Sequence, residues 1–190
     1  KYAGIGASLV AHIKNTRTPF SIDFGVGDII VPKQEKRKIP TQLDDFASPT
    51  VNTYSLETTI AEKLDAILDL MEFSSRMKDY YDIYYLANKF DFDGATLTKA
   101  LKKTFENRGH AFTIEQFEQV LTFGNDDAMQ KKWKAFCKKI DTKTDDFNAV
   151  LRTIKKFLTE PYKAAVADIK YTKIWLANNN SWIQGGNDND

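Results

Sequence analysis

The chain predicts an α+β fold in which a small sheet, built around an antiparallel hairpin, is followed by a bundle of helices. Three observations predict it. In residues 5–13, Ala7, Leu9, Ala11 and Ile13 alternate with Ser8, Val10 and His12, the period of two that marks a strand. In residues 20–27, Phe20, Ile22, Phe24 and Val26 alternate with Ser21, Asp23, Gly25 and Gly27. From residue 55 the apolar residues fall into the helical period and largely keep it to residue 176.

The two alternating runs suit a hairpin whose loop spans residues 14–19, since Asn15 and Pro19 interrupt the pattern. The second run is bulky on one face and bare on the other, so Asp23 stands on a surface cleared by Gly25 and Gly27. Such a carboxylate is either a solvated outer-face residue or a rigidly held metal ligand or base beside a cleft. Ile29, Ile30 and Val31 follow Asp28 and stop at Pro32. Residues 33–49 read as a polar connector bearing Lys33, Lys36, Arg37 and Lys38, a wet loop or a contact for phosphate. Val51 and Thr53 then suggest a short extended piece.

Residues 55–86 read as two helices joined at residues 73–75, with Ser55 as N-cap and Glu57 in the first turn. Plotted at about 100° per residue, Leu56, Ile60, Leu64, Ile67, Leu68 and Met71 share one arc of the first helix, and Lys63 projects from within that arc. Glu62, Asp65 and Asp69 lie opposite, on what reads as a solvated face. In the second helix Asp79 projects between Leu86 and Ile83, with Asp82 at the border of the apolar arc. Charged side chains are seldom buried without a partner. The spacing therefore implies either a salt bridge between Lys63 and Asp79 at the edge of the core, a snorkelling Lys63, or a polar cleft that both side chains line. Arg76, Lys78, Asp79 and Asp82 form a charged set at three- and four-residue spacings.

The remainder reads as scaffold. Asp93 caps a helix over residues 94–107, a short helix covers residues 114–121, and another begins at Asp126 or Asp127. That last helix carries Lys131, Lys132, Lys134, Lys138 and Lys139, a solvated face or an RNA contact. A helix over residues 145–158 precedes Pro161, a final helix is expected over residues 162–176, and residues 178–190 are expected to be disordered.

Composition narrows the function classes. With 27 basic and 26 acidic residues the net charge is +1, which gives no overall attraction to nucleic acid. One cysteine, Cys137, excludes an internal disulfide framework and a cysteine-rich metal site, and His12 and His110 share no motif. No run approaches 18 apolar residues, so no membrane partner and a cytoplasmic location are the expectation.

The run Tyr54-Ser55-Leu56-Glu57-Thr58-Thr59-Ile60-Ala61-Glu62-Lys63-Leu64 precedes Arg76-Met77-Lys78-Asp79-Tyr80-Tyr81-Asp82-Ile83-Tyr84. Together with Ile22-Asp23-Phe24-Gly25 upstream and the run from Phe90 to Leu97 downstream, these segments closely resemble the nucleotidyltransferase-like AbiEii/AbiGii toxin family. The resemblance implies a polymerase-β-like nucleotidyltransferase fold: remaining strands of the core in residues 1–53, helices completing it in residues 54–177, and a tail in residues 178–190. It implies that Asp23, Lys63 and Asp79 are catalytic and that Asp23 is a metal ligand. Arg76, Lys78 and Asp82 would contact the nucleotide, with Glu57 in a minor role. The implied cofactors are Mg²⁺ and an NTP.

The implied reaction is transfer of a nucleotide to an acceptor such as tRNA or another RNA, by the toxin component of a toxin–antitoxin or phage-defence system with a cognate antitoxin as partner. The family's Gly-Gly-Thr/Ser element and Asp-x-Asp pair are missing from their expected place; Asp188 and Asp190 flank Asn189 in the tail. The missing elements are expected before Lys1, which would leave this chain without transferase activity alone. Two further expectations stay beside the transferase: a non-catalytic nucleotide-binding or protein-interaction remnant of the fold, and a nuclease-like metal site using Asp23, Glu57 and Asp79.

Overall fold

A computed structural model of the chain describes residues 4–143 and 146–185. The described residues form an α+β arrangement of six α-helices and small antiparallel sheets.

Strands β1 (Gly4–Ile13) and β2 (Thr16–Gly25) pair antiparallel over their whole length, with Ile13 opposite Thr16. The expected six-residue loop is replaced by a two-residue turn, Lys14 and Asn15, in which Lys14 takes a φ of 52°. Pro19 therefore lies inside β2, opposite Val10. A two-stranded sheet has open edges, where a residue without an N–H is tolerated. Apolar side chains are exposed on both strands, Ile5 and Ile13 of β1 by more than 70% and Phe24 of β2 by 53%.

Strands β3 (Glu35–Lys38) and β4 (Thr50–Thr53) form a second hairpin. The polar connector is thus part strand: Lys36, Arg37 and Lys38 lie on β3, and Arg37 is paired with Glu35 at 2.6 Å.

The core lies among the helices. Helix α1 (Leu56–Leu70) packs against α2 (Met77–Lys89) and α3 (Gly94–Arg108), and α2 and α3 pack against α6 (Phe147–Ala167). Ile60, Leu64 and Ile67 from α1, Tyr80 and Ile83 from α2, Leu97 and Leu101 from α3, and Ile154 and Phe157 from α6 are all but inaccessible to solvent. Each such aliphatic or phenyl side chain contributes about 1.5–3 kcal/mol by leaving water. Asp93 caps α3 by accepting from the Thr96 amide, and Gly109, left-handed at φ 69°, ends it. Helices α4 (Ile114–Thr122) and α5 (Asp127–Lys139) close the bundle, where Trp133 stacks on Phe147.

The C-terminal expectations are corrected at three points. Helix α6 does not stop before Pro161 but runs through it to Ala167. Proline leaves the carbonyl four residues earlier without its helical donor; here that carbonyl, of Phe157, accepts from Trp182 Nε1 at 3.0 Å. Nor do residues 162–176 form a separate helix. Strands β5 (Phe92–Asp93), β6 (Ile174–Leu176) and β7 (Ser181–Ile183) make a small sheet in that order, with Trp175 fully buried and its indole N–H on the Ala87 carbonyl at 2.7 Å. Residues 181–183, expected in a disordered tail, are held because Trp182 stacks on Phe157. Asp188 and Asp190 lie outside the described residues.

Candidate functional site

Helix α1 begins where three hydroxyl bonds gather on one residue. Ser55 caps the helix by accepting from the Thr58 amide, and its hydroxyl also donates to the Val31 carbonyl. Thr58 Oγ1 accepts from the Val31 amide at 2.8 Å and lies 3.1 Å from its carbonyl oxygen. The buried Val31 backbone is thereby satisfied, and the segment after β2 is tied to the start of α1.

Two turns further on, Lys63 leaves the apolar side of α1 and meets α2. Its Nζ lies 3.1 Å from Asp79 Oδ1 and 2.5 Å from Asp82 Oδ2. Arg76 Nε takes the other Asp79 oxygen at 2.5 Å, and Lys78 Nζ reaches Asp82 Oδ2 at 2.5 Å. The Asp79 side chain is 3% exposed, against 17% for Lys63. A buried carboxylate is tolerable only with such partners. Burial and the neighbouring Asp79 charge push the Tyr80 phenol well above its ordinary range.

The corner between α1 and α2 is itself bound. Residues 71–73 make one 3₁₀ turn, Ser74 Oγ accepts from the Arg76 amide at 3.0 Å, and Lys132 of α5 donates to the Glu72 and Ser74 carbonyls at 2.9 Å each. This takes Lys132 out of the basic face that the sequence offered to RNA.

Lys63 and Arg76 open onto a groove of ≈ 220 Å³ whose other walls include Tyr54, Thr59, Glu62 and Arg108. Glu62 and Asp65 were expected to be solvated, and this is corrected: the end of α3 and the residue after its glycine cap fold over them. Asp65 is 1% exposed, 2.8 Å from His110 Nδ1 and 3.4 Å from Arg108 Nε, while Arg108 is also paired with Glu62. Burial pushes the Asp65 carboxyl up, opposed by the His110 hydrogen bond. Spacing within α1 carries no sign of this cluster, because its partners Arg108 and His110 lie more than forty residues further along the chain.

The structure gathers Lys63, Arg76, Lys78, Asp79 and Asp82 into one network. Asp23 stands elsewhere, on the exposed hairpin, its Oδ1 lying over Gly6 of the paired strand, where an added Cβ would come within 3.3 Å. It does not line the groove. Asp28 comes nearer: its carboxylate accepts from the hydroxyl of Tyr54, a groove residue. Asn107 Nδ2 donates to the Gly27 carbonyl at 2.8 Å, fixing the end of the hairpin segment against α3. Glu57 is half-buried in the first turn of α1 and does not line the groove.

The donor set does not fit Mg²⁺, which binds carboxylate oxygens that are free to face it. Both Asp79 oxygens are held by cations, and Asp82 Oδ2 is shared by two ammonium groups. Among the described residues no group of three His, Cys, Asp or Glu side chains is placed to hold a metal ion. What the network can do is hold an ammonium and a guanidinium in fixed positions at a groove. Among the described residues no helix is long and apolar enough to cross a membrane.

No curated protein and no solved structure matches the chain. A family model does, that of the nucleotidyl transferase AbiEii toxin of type IV toxin–antitoxin systems, over residues 1–159 of the 190. The match spans the hairpins, the Lys63–Asp79 helices and most of α6, and the chain belongs to this family of nucleotidyltransferase-like toxins.

Proposed function

We propose that the groove at Lys63 receives the phosphates of a nucleoside triphosphate during transfer of a nucleotide to an RNA acceptor, such as tRNA. The observation that carries this reading is the fixed Lys63 ammonium. It rises from the apolar side of α1, is oriented by Asp79 and Asp82, and sits at the rim of a groove shared with Arg76 and Arg108. A preorganised cation stabilises charge as it develops on a phosphoryl group without reorganising at the moment of reaction. Asp79 is then a positioning residue, acting through Lys63 and Arg76. The acceptor hydroxyl gives up its proton to solvent as its oxygen attacks the α-phosphorus, the bond from that phosphorus to the α–β bridging oxygen breaks, and pyrophosphate leaves. No step is assigned to a metal, since these residues do not form its site.

The test incubates the complete protein with each of the four labelled NTPs, Mg²⁺ and total RNA. Label appears on RNA from at least one NTP with the wild type and is lost in Lys63→Ala. Transfer at the wild-type rate by that variant would remove Lys63 from the mechanism. A second reading, a nucleotide-binding module without catalysis, is favoured by the cation saturation of Asp79 and Asp82. It predicts NTP binding by equilibrium dialysis with no label transferred. As a toxin of its family the protein would work against a cognate antitoxin, which sets when the activity is felt.

A further inference from the structure

Away from that site, α4 and α6 run beside one another and leave a groove of ≈ 560 Å³. Its two walls differ in chemistry. On α4, Ile114, Phe117 and Leu121 follow one another at spacings of three and four and so share one stripe. Phe117 is 2% exposed and forms the floor with Leu151, while Ile114 and Leu121 are half-buried at the rim.

On α6, Arg152, Lys155 and Lys163 stand on one face. Arg152 and Lys163 are 11 positions apart, about 16 Å along the helix axis. None of these three side chains has an ion pair or hydrogen bond among the described residues. By contrast Lys63, Arg76, Lys78, Lys102, Lys103 and Arg108 are all paired. The groove thus brings an apolar stripe and a row of unpaired cations together at helical spacing.

We propose that this groove docks an amphipathic helix of a partner protein, its apolar stripe between Ile114 and Leu121 above the Phe117 and Leu151 floor and its acidic stripe against Arg152, Lys155 and Lys163. Recognition by apolar anchors at helical spacing is a recurring mode of peptide binding. The charge complement selects an acidic partner and steers its approach. A linear cation row of this length exceeds what a compact small molecule can contact. A nucleic acid backbone is the poorer occupant, because a chain of phosphates and sugars meets the cation row but leaves the apolar rim of Ile114 and Leu121 without an apolar partner. The proposal does not rest on the transferase reading.

The test uses the intact chain and a fluorescein-labelled, helix-stapled peptide of about 15 residues with leucines at i, i+4 and i+7 and glutamates on one flank. Fluorescence anisotropy is expected to show saturable binding that weakens with salt. Charge reversal in Arg152→Glu/Lys155→Glu/Lys163→Glu weakens binding roughly tenfold or more, and replacing the peptide's glutamates by lysines restores it. The three side chains are exposed or half-buried, and circular dichroism checks that the helices persist. A Leu121→Lys variant weakens both peptides. The proposal is overturned if the peptide binds no better than its scrambled isomer, if charge reversal leaves binding unchanged, or if a single-stranded RNA of equal charge displaces the peptide at lower concentration.

Discussion

Replacing Asp79 by leucine and Lys63 by methionine, singly and together, measures how far the two charges stabilise one another. Removing one member of a buried pair that has no other partner costs about 3–5 kcal/mol. Here each survivor keeps a second partner. Asp79 in Lys63→Met retains Arg76 at 2.5 Å, and Lys63 in Asp79→Leu retains Asp82 at 2.5 Å. Arg76 is 57% exposed, so its hold on Asp79 is partly screened. Each single variant should therefore lose roughly half of that cost, about 2 kcal/mol, which is a fall in Tm of about 4–8 °C for a chain of this size. In the double variant no carboxylate is left in the buried position, Asp82 keeps Lys78, and two apolar side chains fill the space. Its loss should be no greater than that of either single variant, a coupling of about 2 kcal/mol. Urea unfolding followed by tryptophan fluorescence reads this directly, since Trp133 and Trp175 are buried in the same helical core. Strictly additive losses, about 4 kcal/mol in the double variant, would refute the coupling and reduce the network to independent contacts.

Three other outcomes follow from the packing. Thr58→Val leaves the buried Val31 amide without its acceptor at 2.8 Å and should lower stability by about 1–3 kcal/mol; a Tm within 1 °C or so of wild type would show that the tether is dispensable. Gly94→Ala places a Cβ 2.6 Å from the Lys173 carbonyl oxygen and from the Tyr171 ring, so scanning calorimetry should show a loss of about 1–3 kcal/mol from overpacking. Burial, reinforced by Glu35 and Asp93, pushes the Glu57 carboxyl above its ordinary range, against its own backbone N–H and the Ser55 hydroxyl. The folded state then holds that proton more tightly, a contribution complete below the ordinary glutamate range and lost as pH rises through the folded value. Urea midpoints of Glu57→Gln should accordingly gain on wild type between about pH 4 and pH 7; a constant difference would sink the assignment.

The helical core was legible because its signals are local. Ser55, Asp93, Thr113 and Asp126 each mark a helix start by accepting from an amide three residues on, and Lys63 and Asp79 could be paired from the arcs they interrupt. What escaped was set by distant residues. Asp65 looks solvated until Arg108, at the end of α3, and His110, just past its glycine cap, fold over it. Pro161 looks like a stop until Trp182 takes the carbonyl it leaves open. The β3 strand hides in a run of charges because its pairing with β4 satisfies the backbone and asks little of the side chains. Asp23 was placed correctly on a strand, but which surface a strand faces depends on what packs against it, and within this chain β2 stays exposed.

The Lys132 strap has a mechanical consequence. One ammonium, grasping two carbonyl oxygens in the elbow between α1 and α2, sets how far those helices can splay. The spacing of Lys63 and Asp79, sixteen residues apart on either side of that elbow, is thus governed from a third helix. Acetylation at Lys132 would remove the charge and two of the three donors, turning a braced joint into a sprung one and detuning the ammonium's position at the groove without touching any residue that lines it.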